Sequence, residues 1–437
     1  KALRLTNIFN LLLPFDSVFS GQNYSGVLLG TGDGLNTDFV LPSKNVRESS
    51  IIIKIDGVAT SNFTVETDKD YPLEYCPSIT NLGVDVLLSK DTSGLYISAY
   101  DSPKQRFYKR VSDEFNLLGA SPFSDLSNLP GAAISKDGNF VSHALVSNQP
   151  IAGVTDLRSR TPVAMPPLPN IFTSLCHQSA ISGDGSIVAF SSKNTAPYLK
   201  MYRWETDEWF EYDEPTGLTA VQYIALNDAG NVLAVCLGNT APYIRVYDIV
   251  DDAFIERPAV PDVTNVIRAK LDFDGNTLAV GLGNVSPYAK VFDWVAGAWV
   301  ARAAVANIPS NKVETLDISD DGNTLVLGNP DTVSPCFSIS EWTGAAWKAI
   351  PLPSTVLTNC KTITISGDGK TICTQSYGGS PYIYLYTNKY GTTKSKIKFN
   401  TAPASGVITA DYTVDGVHKT DQYIIDVSCA IAFGEGA

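Results

Sequence analysis

The residues best able to do chemistry in this chain are few and scattered. Its 437 residues hold three histidines, His143, His177 and His418, and seven cysteines, none in a CxxC pair. A zinc site needs clustered ligands, so neither a metal nor a cofactor is expected. No GxSxG, P-loop or HExxH stretch is present, and no Ser-His-Asp order stands out. Cys236 and Cys373 sit in apolar strand-like runs and read as small buried hydrophobes of a protein assembled under reducing conditions. A glycosidase needs two carboxylates at a set separation in one pocket. Asp137, Asp184, Asp228, Asp274, Asp321 and Asp368 instead recur once per repeat beside a turn glycine, which marks them as turn formers. No catalytic residue is assigned, and an enzyme is not expected.

A second set of residues could bind rather than react. The segments "KNTAPY", "GNTAPY", "GNVSPY" and "GGSPY" place Asn194, Asn239 and Asn284, with Tyr198, Tyr243, Tyr288 and Tyr382, at equivalent points. Amide and aromatic groups on an apolar rim suit sugars and protein surfaces alike. The competing reading is that Asn caps the turn and Tyr packs between neighbouring sheets, because the pattern recurs with the fold.

What positions these residues is a repeat. "SKDTSG", "SKDG", "SGDG", "NDAG", "DFDG", "SDDG" and "SGDG" end at Gly94, Gly138, Gly185, Gly230, Gly275, Gly322 and Gly369, spaced 44, 47, 45, 45, 47 and 47 residues apart. Pro103, Pro150, Pro197, Pro242, Pro287, Pro335 and Pro381 follow their glycines by 9, 12, 12, 12, 12, 13 and 12 residues. Around each turn stand runs of alternating polarity such as "VIRAKLDF", buried runs such as "NTLAVGL", and third strands such as "YAKVFDW". Alternation of period two predicts strands. Four short strands per repeat predict one propeller blade, and a ring of such sheets lets each cover the next. An open solenoid is the competing architecture, disfavoured because no polar caps are evident. The last repeat lacks a fourth strand, while "DYPLEYC" before the first resembles "WKAIPLP" before the seventh. Tyr71–Cys76 is therefore expected to complete the seventh sheet beside Tyr382–Thr387 and so remove the open edges.

The flanks are strands too. Ser50–Ile55 runs into an Asp56-Gly57 turn, and Ile397–Phe399 and Val407–Tyr412 bracket "TAPASG". Tyr423, Ile425, Val427, Cys429, Ile431 and Phe433 alternate along the terminal run. Neither flank has strands enough for a stable sheet alone. The expected organisation is all-β: an apolar arm over 1–21, a β-sandwich first half over 22–68, a seven-bladed β-propeller over 69–391, and the sandwich second half over 392–437. Insertion suits a closed ring, whose ends lie close together.

"TGDGLNTDFVLP…IIIKIDGVATSNFTVE" with "IKFNTAPASGVITADYTV" resembles a small β-sandwich module of tailed-bacteriophage virion proteins, here split by the inserted repeats. The "YIIDVSCAIAFGEG" ending resembles those of phage tail and head-attached proteins, and the repeats resemble the propeller repeats of phage structural proteins. The resemblance implies a virion component that docks through its sandwich and arm, with other virion proteins and copies of itself in a symmetric lattice as partners. A host-surface glycan is a further partner if the chain is a fibre receptor module. Sialidase-type propellers carry a Ser-x-Asp-x-Gly-x-x-Trp box. The turns here lack its spacer and have Leu or Val at the aromatic place, Phe140 excepted, which leaves a propeller glycosidase as the third reading.

Composition agrees with these exclusions. Charged residues are 18% and the net charge is −13, a poor basis for contacts to nucleic-acid phosphates. The opening "KALRLTNIFNLLLPFDSVFSG" is broken by Asn10 and Pro14. It reads as an assembly arm, with a processed targeting segment as the alternative. No run approaches the roughly 20 apolar residues that span a bilayer, so membrane insertion is not expected.

Overall fold

A computed structural model of the chain describes residues 22–44, 50–66, 73–75, 83–99, 105–111, 114–123, 131–144, 151–159, 161–172, 176–283, 285–305, 308, 313–329, 335–352, 360–376, 383–387 and 394–414. The expected arm, the terminal run from Tyr423 to Phe433, His418, Asn284 and Tyr382 lie outside them. Among the described residues the regular elements are β-strands, arranged in small antiparallel sheets. The chain divides into two compact units, Tyr71–Asn388 and Lys1–Asp70 with Lys389–Ala437.

The larger unit holds seven four-stranded sheets. They are numbered here by their first strands: Gly83–Leu88, Gly131–Ile134, Gln178–Ile181, Tyr223–Leu226, Val266–Leu271, Thr315–Ile318 and Cys360–Ile365. The fifth is representative, with strands Val266–Leu271, Thr277–Leu282, Ala289–Val295 and Ala298–Ala301 in spatial as in chain order. The second strand of that sheet is buried along its whole length, which explains its uninterrupted apolar run. Each first strand packs on the first strand of the next sheet, and that of the seventh packs on that of the first. The seventh sheet takes its fourth strand from the other end of the unit. Leu73–Tyr75 pairs antiparallel with Ile383–Thr387, Leu73 opposite Tyr386 and Tyr75 opposite Tyr384. This is the strand that the last repeat lacks in sequence, and it covers an edge that would otherwise stand open.

A second closure runs through the turns. Gly367 N–H donates to Lys90 O (2.7 Å), Asp91 N–H to Lys136 O (3.0 Å), Lys136 N–H to Gly183 O (2.9 Å) and Gly183 N–H to Asp228 O (2.7 Å). The Asn227 side-chain amide donates to Phe273 O (3.0 Å). Phe273 N–H then reaches Asp320 O (3.1 Å) and Asp320 N–H reaches Gly367 O (2.8 Å). These seven links join all seven turns head to tail, so the circuit has no free end.

In the smaller unit each sheet mixes strands from the two ends of the chain. Gln22–Thr31, Val407–Val414, Ile52–Ile55 and Val58–Thr60 form one, and Asp38–Lys44, Lys394–Phe399 and Phe63–Glu66 the other. Phe39, Leu41, Ile53, Ile397, Phe399, Ile408, Ala410 and Tyr412 make their common core. Phe39 and Phe399 meet edge to face at 5.6 Å, and Tyr24 stacks on Tyr412 at 5.3 Å. Gly32 must be glycine: a Cβ there would lie 2.7 Å from Pro403 O. Its N–H bonds Gly406 O at 2.8 Å, and Gly34 N–H bonds Pro403 O at 2.8 Å. The "TGDG" and "APASG" segments are thus two sides of one contact.

Candidate functional site

The turn end of the seven-sheet unit is built from one repeated device. The first residue of each turn motif accepts the backbone N–H five positions on. Ser135 Oγ takes Phe140 N–H (2.9 Å), Ser319 Oγ takes Thr324 N–H (2.9 Å) and Ser366 Oγ takes Thr371 N–H (2.8 Å). Asn227 and Asp272 do the same through Oδ1, to Val232 (2.8 Å) and Thr277 (2.9 Å). Asp137, Asp184, Asp321 and Asp368 then brace their turns, each accepting from its own Ser hydroxyl and from the N–H two residues on.

The aspartate reading needs correcting at two places. In "DFDG" the capping carboxylate is Asp272, ahead of Asp274. In "NDAG" Asn227 is the cap, which frees Asp228 for another position. That position follows the capping residue and is filled by Lys90, Lys136, Gly183, Asp228, Phe273, Asp320 and Gly367 in turn. With Asp91 and Asn227, these are the residues linked by the circuit of hydrogen bonds.

A cluster of charge follows from this placement. Lys136 reaches from the second sheet to Asp320 in the sixth (2.5 Å) and Asp228 in the fourth (3.8 Å), and lies 4.3 Å from the Phe273 ring centre of the fifth. Lys90, from the first sheet, pairs with Asp317 at 3.1 Å and donates to the carbonyls of Ile318 (2.6 Å) and Ile365 (3.2 Å). Lys270 approaches the same Asp317 at 3.8 Å. The Asp317 side chain is 4% exposed. Burial works against its charge, but Lys90 and Lys270 outweigh it and hold the carboxyl below its ordinary range. Burial instead raises Asp228, and it pushes Asp85 up to about 6 against the pull of Arg268, Lys361 and Lys270. A cavity of about 390 Å³ opens at this end beside Lys90, Asp91, Lys136, Asp320 and Asp368. Each of its lysines already faces a carboxylate, Lys370 by way of Asp368 at 3.5 Å. The arrangement ties opposite sheets together across the circuit.

The loops before the third strands place the expected binding residues as follows. Asn194 and Asn239 are exposed, while Tyr198, Tyr243 and Tyr288 are half-buried. Each tyrosine packs on a core cluster shared between neighbouring sheets. Tyr198 N–H and Leu199 N–H both donate to Glu214 Oε1, at 2.6 and 3.0 Å. Tyr243 and Tyr288 take φ values of 69° and 65°, a region rarely used by bulky residues. The peptide bonds before Pro197, Pro242 and Pro287 are cis. The three loops share the cis proline, Tyr243 and Tyr288 share a backbone conformation that Tyr198 does not take, and exposed Asn194 and Asn239 precede half-buried rings in two of them.

The rim is built differently. Trp204 and Trp209, Trp294 and Trp299, and Trp342 and Trp347 pair across the third and fourth strands of the third, fifth and sixth sheets. Their ring centres are 4.9, 5.0 and 5.3 Å apart. An arginine from the preceding sheet covers two of these pairs. Arg257 lies 4.7 Å over Trp294 and bonds Asp248 and Gly275 O; Arg302 lies 5.1 Å over Trp342 and bonds Asp293 and Gly322 O. Beside the inward tryptophans the alternation turns outward. Val163, Phe210, Ile255 and Val300 are 52%, 37%, 53% and 51% exposed, and they hold equivalent positions opposite Asp156, Arg203, Asp248 and Asp293. The sixth sheet has Lys348 there. Among the described residues no group of three His, Cys, Asp or Glu could hold a metal, and no helix is long and apolar enough to cross a membrane.

The axial residues were not singled out from sequence. Their signal was the position after the capping residue, which changes charge from turn to turn while its neighbours are mostly Ser and Asp.

No family model matches the chain. It is 26% identical over 194 residues to the phosphate-binding protein PstS 2 of two Streptococcus pneumoniae strains, a match covering 40% of this chain. The chain spans 66% of the length of these curated relatives.

Proposed function

We propose that this chain is a structural component of a tailed-phage virion, assembled in the host cytoplasm, that docks through a β-sandwich and displays a seven-bladed β-propeller. The observation that carries the reading is the smaller unit. Its two sheets are each knitted from strands of both chain ends, and its "TGDG" and "APASG" segments meet backbone to backbone. Those are the segments in which the chain resembles the phage sandwich module. The head-to-tail circuit of seven turns supports the propeller. In this reading the sandwich and the arm contact other virion proteins, with copies arranged symmetrically. The outward row from Val163 to Val300 gives the propeller an apolar surface for protein contact. The role is binding and display, without catalysis and without nucleic acid.

The ligand in the relatives' name is not carried over. The lysines of the axial cavity are matched by carboxylates, which leaves no surplus positive charge for an anion. A second reading, a glycan-binding receptor module of a tail fibre, draws on exposed Asn194 and Asn239 beside half-buried Tyr198 and Tyr243.

The test is electron microscopy of purified tailed particles, from a lysate in which this gene is expressed, labelled with antibody against the ring unit. Labelling at a fixed place on intact particles is expected. Protein that stays free in the lysate while particles remain unlabelled would overturn the reading. A glycan array probed with the full chain separates the two readings, since only the receptor module calls for a bound sugar.

A further inference from the structure

Two buried thiols meet where the sixth sheet packs on the seventh. Cys336 stands just before the strand Phe337–Trp342, and Cys360 opens the strand Cys360–Ile365. They are 1% and 0% exposed and share one cluster with Val326, Phe337, Ile363 and Tyr386. The register brings them together. Phe337 pairs with Gly328, and Asn329 N–H donates to Cys336 O at 2.8 Å. Gly328 has no side chain, and a Cβ placed there would lie 3.0 Å from Cys360 Sγ. The Cys360 thiol therefore occupies the space above Gly328, one pair along from Cys336 in the same cluster, with Thr374 Oγ1 at 2.8 Å from its sulfur. The neighbouring Cys360 lowers the Cys336 thiol, while burial raises Cys360 well above its ordinary value, which favours Cys336 as the first sulfur to react. A cavity of about 300 Å³ lies against Pro335 and Phe337, the chain neighbours of Cys336.

We propose that Cys336 and Cys360 form an intramolecular disulfide when the folded protein meets a peroxide, stapling the sixth sheet to the seventh. The Cys336 thiolate attacks the O–O bond, giving a sulfenic acid and hydroxide, which takes up the proton Cys336 had released and leaves as water. The Cys360 sulfur then displaces the sulfenic hydroxyl, which departs as a second water with the Cys360 proton. Two thiols are oxidised, one peroxide is reduced, and one S–S bond and two waters result. The seventh sheet is the one completed by Leu73–Tyr75, and the staple holds its opposite edge, the first strand, to the sixth sheet. The inference does not depend on the virion reading.

The full-length protein is treated with hydrogen peroxide, its remaining thiols are alkylated, and it is digested without reductant for peptide mass spectrometry. A joined pair of peptides containing Cys336 and Cys360 is expected, lighter than their sum by two hydrogens and separated by a reductant. The joined form should also melt at higher temperature than the reduced one. Cys373→Ser should keep the link and Cys336→Ser should lose it. If Cys336→Ser does not fold, the wild-type map and Cys373→Ser still decide. Over-oxidation of Cys336 with Cys360 left free, a link between Cys360 and Cys373, or no reaction in the folded protein would each overturn the proposal.

Discussion

The axial end and the rim of the seven-sheet unit solve the same problem, joining one sheet to the next, by opposite means. At the rim the joint is repeated. An arginine at the end of one sheet covers a tryptophan pair of the next and bonds an aspartate and a turn carbonyl, as Arg257 and Arg302 both do. At the axial end the backbone circuit repeats but the side chains do not. Lys90, Lys136, Asp228, Phe273 and Asp320 differ from turn to turn and complete one another across the circuit. Neighbour-to-neighbour joints can be copied with the repeat. A joint between the second and sixth sheets cannot, because its two partners must carry opposite charge. The side chains that break the repeat are therefore the ones that fix the sheets as a set.

If that contrast is right, the largest effect lies at the axis. Asp317→Ala leaves Lys90 and Lys270 without their buried carboxylate and should cost roughly 3–5 kcal/mol in chemical denaturation. Next comes the rim. Arg302→Ala, with its side chain 6% exposed beside Asp293 and two tryptophans, should cost about 2 kcal/mol. Arg203→Ala, on a third strand over Phe210 and not over a tryptophan pair, with its partner Asp252 51% exposed, should cost roughly 0.5 kcal/mol. Equal costs for the two arginines would break the idea that covering a tryptophan pair is what matters.

Asp85 sharpens the comparison through pH. Burial raises its folded-state pKa from 3.8 to about 6, so the folded protein holds this proton more tightly than the unfolded chain. The resulting stability is fully present below the unfolded value and is lost as pH rises through about 6. Asp85→Asn should remove that slope. The gap in denaturation midpoint between the variant and the natural protein should therefore change between about pH 4 and about pH 7. Lys136→Ala should cost about 1 kcal/mol, between the two arginines, since the lysine and Asp320 are both partly exposed.

Much of this frame was legible from spacing. The turn glycines and the prolines kept step because each pair brackets one buried strand, and the missing fourth strand pointed to Leu73–Tyr75 because a sheet edge needs a partner. The outward row at Phe210, Ile255 and Val300 was not singled out, although alternation along the fourth strands carries it. What spacing could not reveal was any partnership between distant turns. Asp228 looked like one more turn aspartate until Asn227 proved to be the cap. Nor could it bring Cys336 to Cys360, which depends on Gly328 leaving space between two sheets. For Tyr198, Tyr243 and Tyr288 the sequence supported both packing and display; all three rings are half-buried against core clusters, and Asn194 and Asn239 are exposed.

The most direct test of the closed circuit is electron microscopy of the purified full-length protein, with particles averaged in projection. The account requires a disc of seven similar lobes around an axis, lost when Leu73–Tyr75 is deleted. An open rod, another number of lobes, or a disc indifferent to that deletion would contradict it.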